Sequence, residues 1–254
     1  MLSTAASFFV VICVVAVSIA FLYLLNRLWP PRHRRSFNSF FGWQFNFLGT
    51  ACGVIISFML LTAWTSFYDA EVNADAEAIA LVNLSRLSDG LPPSQRDAVH
   101  ALAGRYVDVV LNEEWPSMDA GHVSPAGRPV IEQTWKTLTS SGGLNESQRV
   151  VLDHAITQLS SMTEHRRVRE LQVKQHLPGI LWAVLILGSV LTISYACLFG
   201  AESFALHSLQ VLGLALLISL CLTAIADLSR PFQGGAHVEP SGFLRAREVL
   251  QHGH

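Results

Sequence analysis

Asn46, Thr50, Gly53 and Ser57 recur at spacings of four, three and four inside the apolar run Trp43 to Trp64. On a helix, that spacing gathers small and polar groups on one face. Water or ions crossing a membrane need such a face in the interior of a bundle, so these four residues are pore-lining candidates. The competing reading is close packing. Gly49 and Gly53 form a GxxxG pair, and small residues let helices approach. Both readings hold if the helix packs around an axis.

Two further groups carry charge near apolar runs. Asp227 ends the last run and Arg230 follows three residues on. The pair reads as a helix-end salt bridge, or as part of an ion-attracting ring at a vestibule. Arg166, Arg167 and Arg169 form a membrane-proximal basic cluster. It reads as a solvated face, or more sharply as a site for anionic lipid headgroups, which requires the insert to face the cytoplasm. Glu202 and His207 are read as lying in the short loop of the second hairpin, where the histidine caps or hydrogen bonds, or else senses pH. Tyr106, Trp115 and Trp135 read as packing anchors.

Other chemistry is missing from the pattern. There is no Ser/His/Asp elbow, P-loop or GxGxxG. None of the ten histidines has another at i+3 or i+4, and no HExxH occurs. No metal or cofactor is expected, and no enzyme. The Glu113-Glu114 carboxylates fall at a polar helix end and are expected to be exposed.

The elements that must position these residues are helices. Ala6 to Leu25, Trp43 to Trp64, Leu181 to Phe199 and Ala205 to Ala226 are four apolar runs. About 20 residues rising ~1.5 Å each cross a hydrocarbon core of ~30 Å. The first run lacks a basic segment before it and a small-residue cleavage site after it, so it reads as a retained span. The fold class is therefore an all-α membrane protein with four transmembrane helices and a soluble helical insert between the second and third. Residues 1–65 hold helices one and two with a short basic loop. Residues 66–177 are the insert, 178–228 the second hairpin and 229–254 a polar tail, ordered only if it docks.

Within the insert, Val72, Ala76, Ile79, Val82 and Leu87 keep helical period and continue span two out of the bilayer. Asp89-Gly90-Leu91-Pro92-Pro93 ends that helix. Ser94, with Asp97 three residues on, is expected to cap the next, which Trp115-Pro116 closes. A Gly/Ser/Pro-rich loop from Ser117 to Pro129 precedes a third helix, broken at Ser140-Ser141-Gly142-Gly143. Asn145 and Gln148 form a capping box for a long fourth helix.

Composition fits this reading: 51% of residues are hydrophobic, only 14% charged, and the net charge is −2. Nothing there suggests a nucleic-acid partner. Cys13, Cys52, Cys197 and Cys221 all fall in the spans, so the insert has no disulfide framework.

Several strings resemble a known family. They are Ala80-Leu81-Val82-Asn83-Leu84-Ser85-Arg86-Leu87, Gly90-Leu91-Pro92, Tyr106-Val107, Glu114-Trp115-Pro116, Arg166-Arg167-Val168-Arg169 and Leu177-Pro178-Gly179-Ile180-Leu181-Trp182. Phe199-Gly200, His207 and Asp227 followed by Arg230-Pro231-Phe232-Gln233-Gly234 continue them. In this order, from about Phe45 to Phe243, they resemble the bestrophin-like-domain family of bacterial integral membrane proteins of unknown function. The resemblance implies a relation to bestrophins, which are oligomeric ion channels with four spans and a helical domain between spans two and three. It supplies no catalytic motif.

Two functions follow from these residues. The first is an oligomeric ion channel or channel-like pore in a bacterial inner membrane, a homo-oligomer passing inorganic ions with span two at the axis. The alternative is a non-conducting sensor or scaffold whose insert binds a partner or ligand. Orientation is divided. Arg27, Arg32, Arg34 and Arg35 draw the first loop to the cytoplasm and leave the insert outside. Arg166, Arg167, Arg169, Lys174, Arg230, Arg245 and Arg247 pull the other way.

Overall fold

The computed structural model describes residues 4–140 and 142–252; Ser141, in the glycine-serine break, lies outside them. Ten α-helices are described: α1 (Thr4–Leu28), α2 (Pro31–Arg34), α3 (Asn38–Ser88), α4 (Pro93–Val109), α5 (Trp115–Asp119), α6 (Arg128–Thr139), α7 (Glu146–Lys174), α8 (Gly179–Cys197), α9 (Phe204–Leu228) and α10 (Ser241–His252). No strand occurs among the described residues. Four helices are long and apolar enough to cross a membrane, within Ala5–Leu28, Pro31–Ser88, Gly179–Cys197 and Phe204–Leu228. The chain folds as two compact units, Met1–Ser66 with His176–Ser229, and Phe67–Gln175 with Arg230–His254.

In the first unit, α1 packs on α9 and α8. Leu22, Ala196, Cys197 and Val211 are buried together there. The start of α3 packs through Cys52, Ile56, Met59 and Ala63 against Leu185, Ile218 and Ile225. Polar side chains in these helices bond their own backbone. Ser18 donates to the Val14 carbonyl, Ser189 to Leu185, Thr192 to Gly188 and Ser219 to Ala215. Without water, that is the local way to satisfy a hydroxyl.

The turn after α1 is clamped to the loop after α8. Asn38 accepts from the Gly200 N–H at 2.8 Å and donates to the Gly200 carbonyl at 3.2 Å. A Cβ on Gly200 would sit 2.5 Å from the Pro31 carbonyl oxygen, so only glycine fits. Arg34, fully buried, donates to the Cys197 carbonyl at 2.8 Å and to Asn26. No carboxylate pairs with it among the described residues. Its charge instead sits at the C-terminal end of α8, where the helix dipole is negative. Its neighbour Arg35 reaches Glu202 at 3.1 Å.

In the second unit, the later half of α3 joins α4 to α7 and α10 around Leu81, Leu84, Val99, Val107, Leu138, Leu159, Met162 and Phe243. The capping box at α7 is present in both directions, Gln148 N–H to Asn145 and Asn145 N–H to Gln148. The Ser94 cap is not: Pro92 holds the cap position and α4 starts at Pro93, whose missing N–H suits the first turn. Trp115-Pro116 does not close the helix either. A π-helical turn, Val110–Glu114, carries the chain into α5, where Pro116 falls in the first turn. The tail docks as α10, with Phe243 and Ala246 buried.

Candidate functional site

Asn46, Thr50, Gly53 and Ser57 are all exposed on α3. At 100° per residue they span an arc of about 60°. Cys52, Ile56, Met59 and Ala63, which bury the helix against α8 and α9, are centred about 120° further round the helix. The glycine pair makes no tight seam within the chain. A Cβ on Gly53 would meet nothing within 4 Å, and one on Gly49 would meet only the Thr192 methyl, at 4.0 Å. An open cavity of about 360 Å³ lies on this face, lined by Trp43, Asn46, Phe47, Thr50 and Ala51. Trp43 and Phe47 stack beside it, centroids 6.3 Å apart.

The charged residues of the second unit are arranged otherwise than the sequence suggests. Arg166 and Arg169 are buried, so the basic run is not a solvated face; only Arg167 is exposed. Arg169, 1% exposed, donates to Glu77 from Nε at 2.7 Å and Nη2 at 2.8 Å. The same Nη2 reaches Glu114 at 2.8 Å. Arg166 donates to Glu114 Oε1 at 2.6 Å and pairs with Glu170 at 2.5 Å. Tyr106 donates its hydroxyl to Glu77 at 2.6 Å. The Gly127 N–H completes Glu114 at 3.0 Å, and a Cβ on Gly127 would stand 2.5 Å from that carboxylate. Trp115 and Phe243 cover the Arg169 guanidinium at 5.7 and 5.8 Å.

Two carboxylates and two guanidinium groups thus balance inside the unit. Burial pushes the Glu114 carboxyl up, but Arg169 and the Arg166 hydrogen bond outweigh it and hold it below the usual carboxylate value. Burial likewise opposes the Arg169 charge, yet Glu77 holds it well above its ordinary value. Tyr106 is pushed well up, first by burial and then by Glu77. Within this quartet, Glu114, Arg166 and Arg169 stay charged at physiological pH. The quartet joins α3, α4, the π turn and α7 through charge-assisted bonds.

The sequence pattern singles out no role for Glu77 and puts Glu114 at an exposed helix end; both are buried. A signal existed for Glu77: it falls in phase with Ala70, Ala74, Leu81 and Leu84, on the buried face of α3. A charge on that phase needs a buried partner. Tyr106 and Trp115 do anchor packing, and each also donates a hydrogen bond, Trp115 to the Val238 carbonyl. His207 is buried and bonds the Ala196 carbonyl at 2.9 Å. Asp227 lies in the last turn of α9 in the first unit, and Arg230 begins the C-terminal segment of the second.

A family model described as the Bestrophin-like domain matches residues 12–243. The chain belongs to the Bestrophin-like domain family. With its apolar helices, that makes it an integral membrane protein. Solved structures share the bestrophin-like fold. A bacterial bestrophin homolog from Klebsiella pneumoniae aligns with a TM-score of 0.71 at 13% identity, covering 94% of this chain and 96% of the other. A point variant of a bacterial bestrophin homolog from the same organism gives 0.72 at 12%, over 94% and 97%. A structure described as a membrane protein variant gives 0.66 at 14%, over 93% and 95%. No curated protein matches the sequence.

Proposed function

We propose that this bestrophin-like chain assembles with copies of itself into a closed ring in a bacterial inner membrane. The ring conducts inorganic ions along an axis lined by Asn46, Thr50, Gly53 and Ser57. One observation carries the reading: the polar stripe is exposed on the single chain, beside and not within the face packed on α8 and α9. Amide and hydroxyl groups facing lipid are costly, so such a face belongs against water or another chain. Four spans are too few to enclose an aqueous path alone, and a ring supplies the rest. The bestrophin-like fold supports the same layout, by analogy only.

The test combines native mass spectrometry of protein in nanodiscs with ion flux into proteoliposomes. The expected result is a single closed oligomer, flux above empty vesicles, and altered flux in Ser57→Leu with the oligomer intact. A monomer, or an oligomer without flux, sinks the pore. An oligomer lost in Ser57→Leu assigns the stripe to subunit packing and favours the sensor or scaffold.

A further inference from the structure

We infer that the outward stripe on the C-terminal half of α7, formed by Arg167, Val168, Leu171 and Lys174, is a contact surface for the headgroup layer of an anionic membrane. The sequence offers a run of three arginines here, but the fold divides them. Arg166 and Arg169 turn inward and are consumed by Glu77, Glu114 and Glu170. Arg167 turns out. At 100° per residue, the four stripe residues fall within about 120° on the side of the helix away from Met162, Arg169 and Val173. Leu171 is 61% exposed and Val168 36%, and the two lie side by side on this face of the helix.

Two features of the stripe select a lipid surface as its occupant. The first is chemistry: an apolar pair edged by an arginine and a lysine is the composition of a helix that lies in the headgroup region. Its apolar part enters the acyl boundary and its cations meet lipid phosphates. The second is position along the chain. α7 ends at Lys174 and the membrane helix α8 begins at Gly179, with only Gln175, His176, Leu177 and Pro178 between. The five steps from Lys174 to Gly179 reach at most about 18 Å even when fully extended. The acidic neighbours do not oppose the contact. Glu170 is turned to Arg166, and Glu164 lies a turn before Val168, further along the chain from α8. The inference rests on the bilayer alone and is independent of whether the ring conducts.

The test places an environment-sensitive fluorescent residue at Leu171 and, as control, at Val150, which is exposed near the other end of the same helix. Full-length protein is compared in nanodiscs of phosphatidylcholine and of phosphatidylcholine mixed with phosphatidylglycerol. The expected result is a blue shift at position 171 in the anionic discs. It should be reduced by salt, lost in Arg167→Glu with Lys174→Glu, and restored in Arg167→Lys with Lys174→Arg. Position 150 should not respond. Emission at 171 that matches position 150, or that ignores both lipid charge and charge reversal, overturns the inference. The latter outcome assigns the stripe to a protein partner. Because the fluorophore reads a local contact, its result is independent of the flux and oligomer assays.

Discussion

Arg169 grips both oxygens of Glu77 while one of its nitrogens also holds Glu114, all with almost no solvent exposure. Desolvating such charges is expensive, and the mutual attraction offsets it only while every partner is present. Removing Glu77 alone, as Glu77→Leu, leaves a buried guanidinium under-compensated. The expected loss is about 3–5 kcal/mol of stability. Arg169→Met in the same chain should recover part of it. Thermal unfolding of the single and double variants checks this; additive losses would show that the two residues do not act as a pair.

Acid should weaken the second unit in a defined window. The Glu114 carboxyl is held below its ordinary value when folded, so it stabilises the fold above the unfolded value of about 4.3. That contribution fades as pH falls through the lower folded value. Glu114→Gln should be less stable at neutral pH and flatter below pH 4 or so. Urea midpoints measured across acid pH give the comparison.

The alkaline side has the opposite sign. Tyr106 is raised in the fold, so its contribution is whole below the unfolded value of about 10 and is lost as pH climbs towards the folded one. Tyr106→Phe should remove that alkaline slope. It should also cost about 1–3 kcal/mol at neutral pH, because Glu77 loses a donor. An unchanged slope would assign the alkaline loss to another group.

In the first unit, Gly200→Ala should act through sterics alone. Its new methyl would press on the Pro31 carbonyl and the Arg35 backbone. Asn38→Ala tests the same junction without crowding it, leaving the Gly200 N–H and carbonyl unpaired at about 1–3 kcal/mol. Both variants should lower the melting temperature in detergent; neither effect is expected if the clamp is unimportant.

Much of the architecture is readable from pattern because the bilayer imposes length. The first, third and fourth apolar runs match α1, α8 and α9 to within a few residues, the second lies inside the longer α3, and the period of Val72 to Leu87 correctly extends α3 past Trp64. Asn145 and Gln148 were readable because a capping box is local. The ion quartet was not. Glu77 and Arg169 are separated by 92 residues, and nothing local distinguishes a buried arginine from its exposed neighbour Arg167. Trp115-Pro116 misled for a related reason. Proline stops a helix in its interior, yet the π turn before it starts a fresh first turn where proline is tolerated.

The division of the second unit sets an order of events in time. Phe232, Val238, Phe243 and Ala246 belong to its core, yet they follow α8 and α9 along the chain. Translation therefore delivers Glu77, Glu114 and Arg169 first, then both remaining membrane helices, and only afterwards the residues that close over the guanidinium. Until residues beyond 230 are made, the ion quartet must wait with its aromatic cover half built. A ribosome stalled after α9 should hold an inserted chain whose second unit is still open to protease.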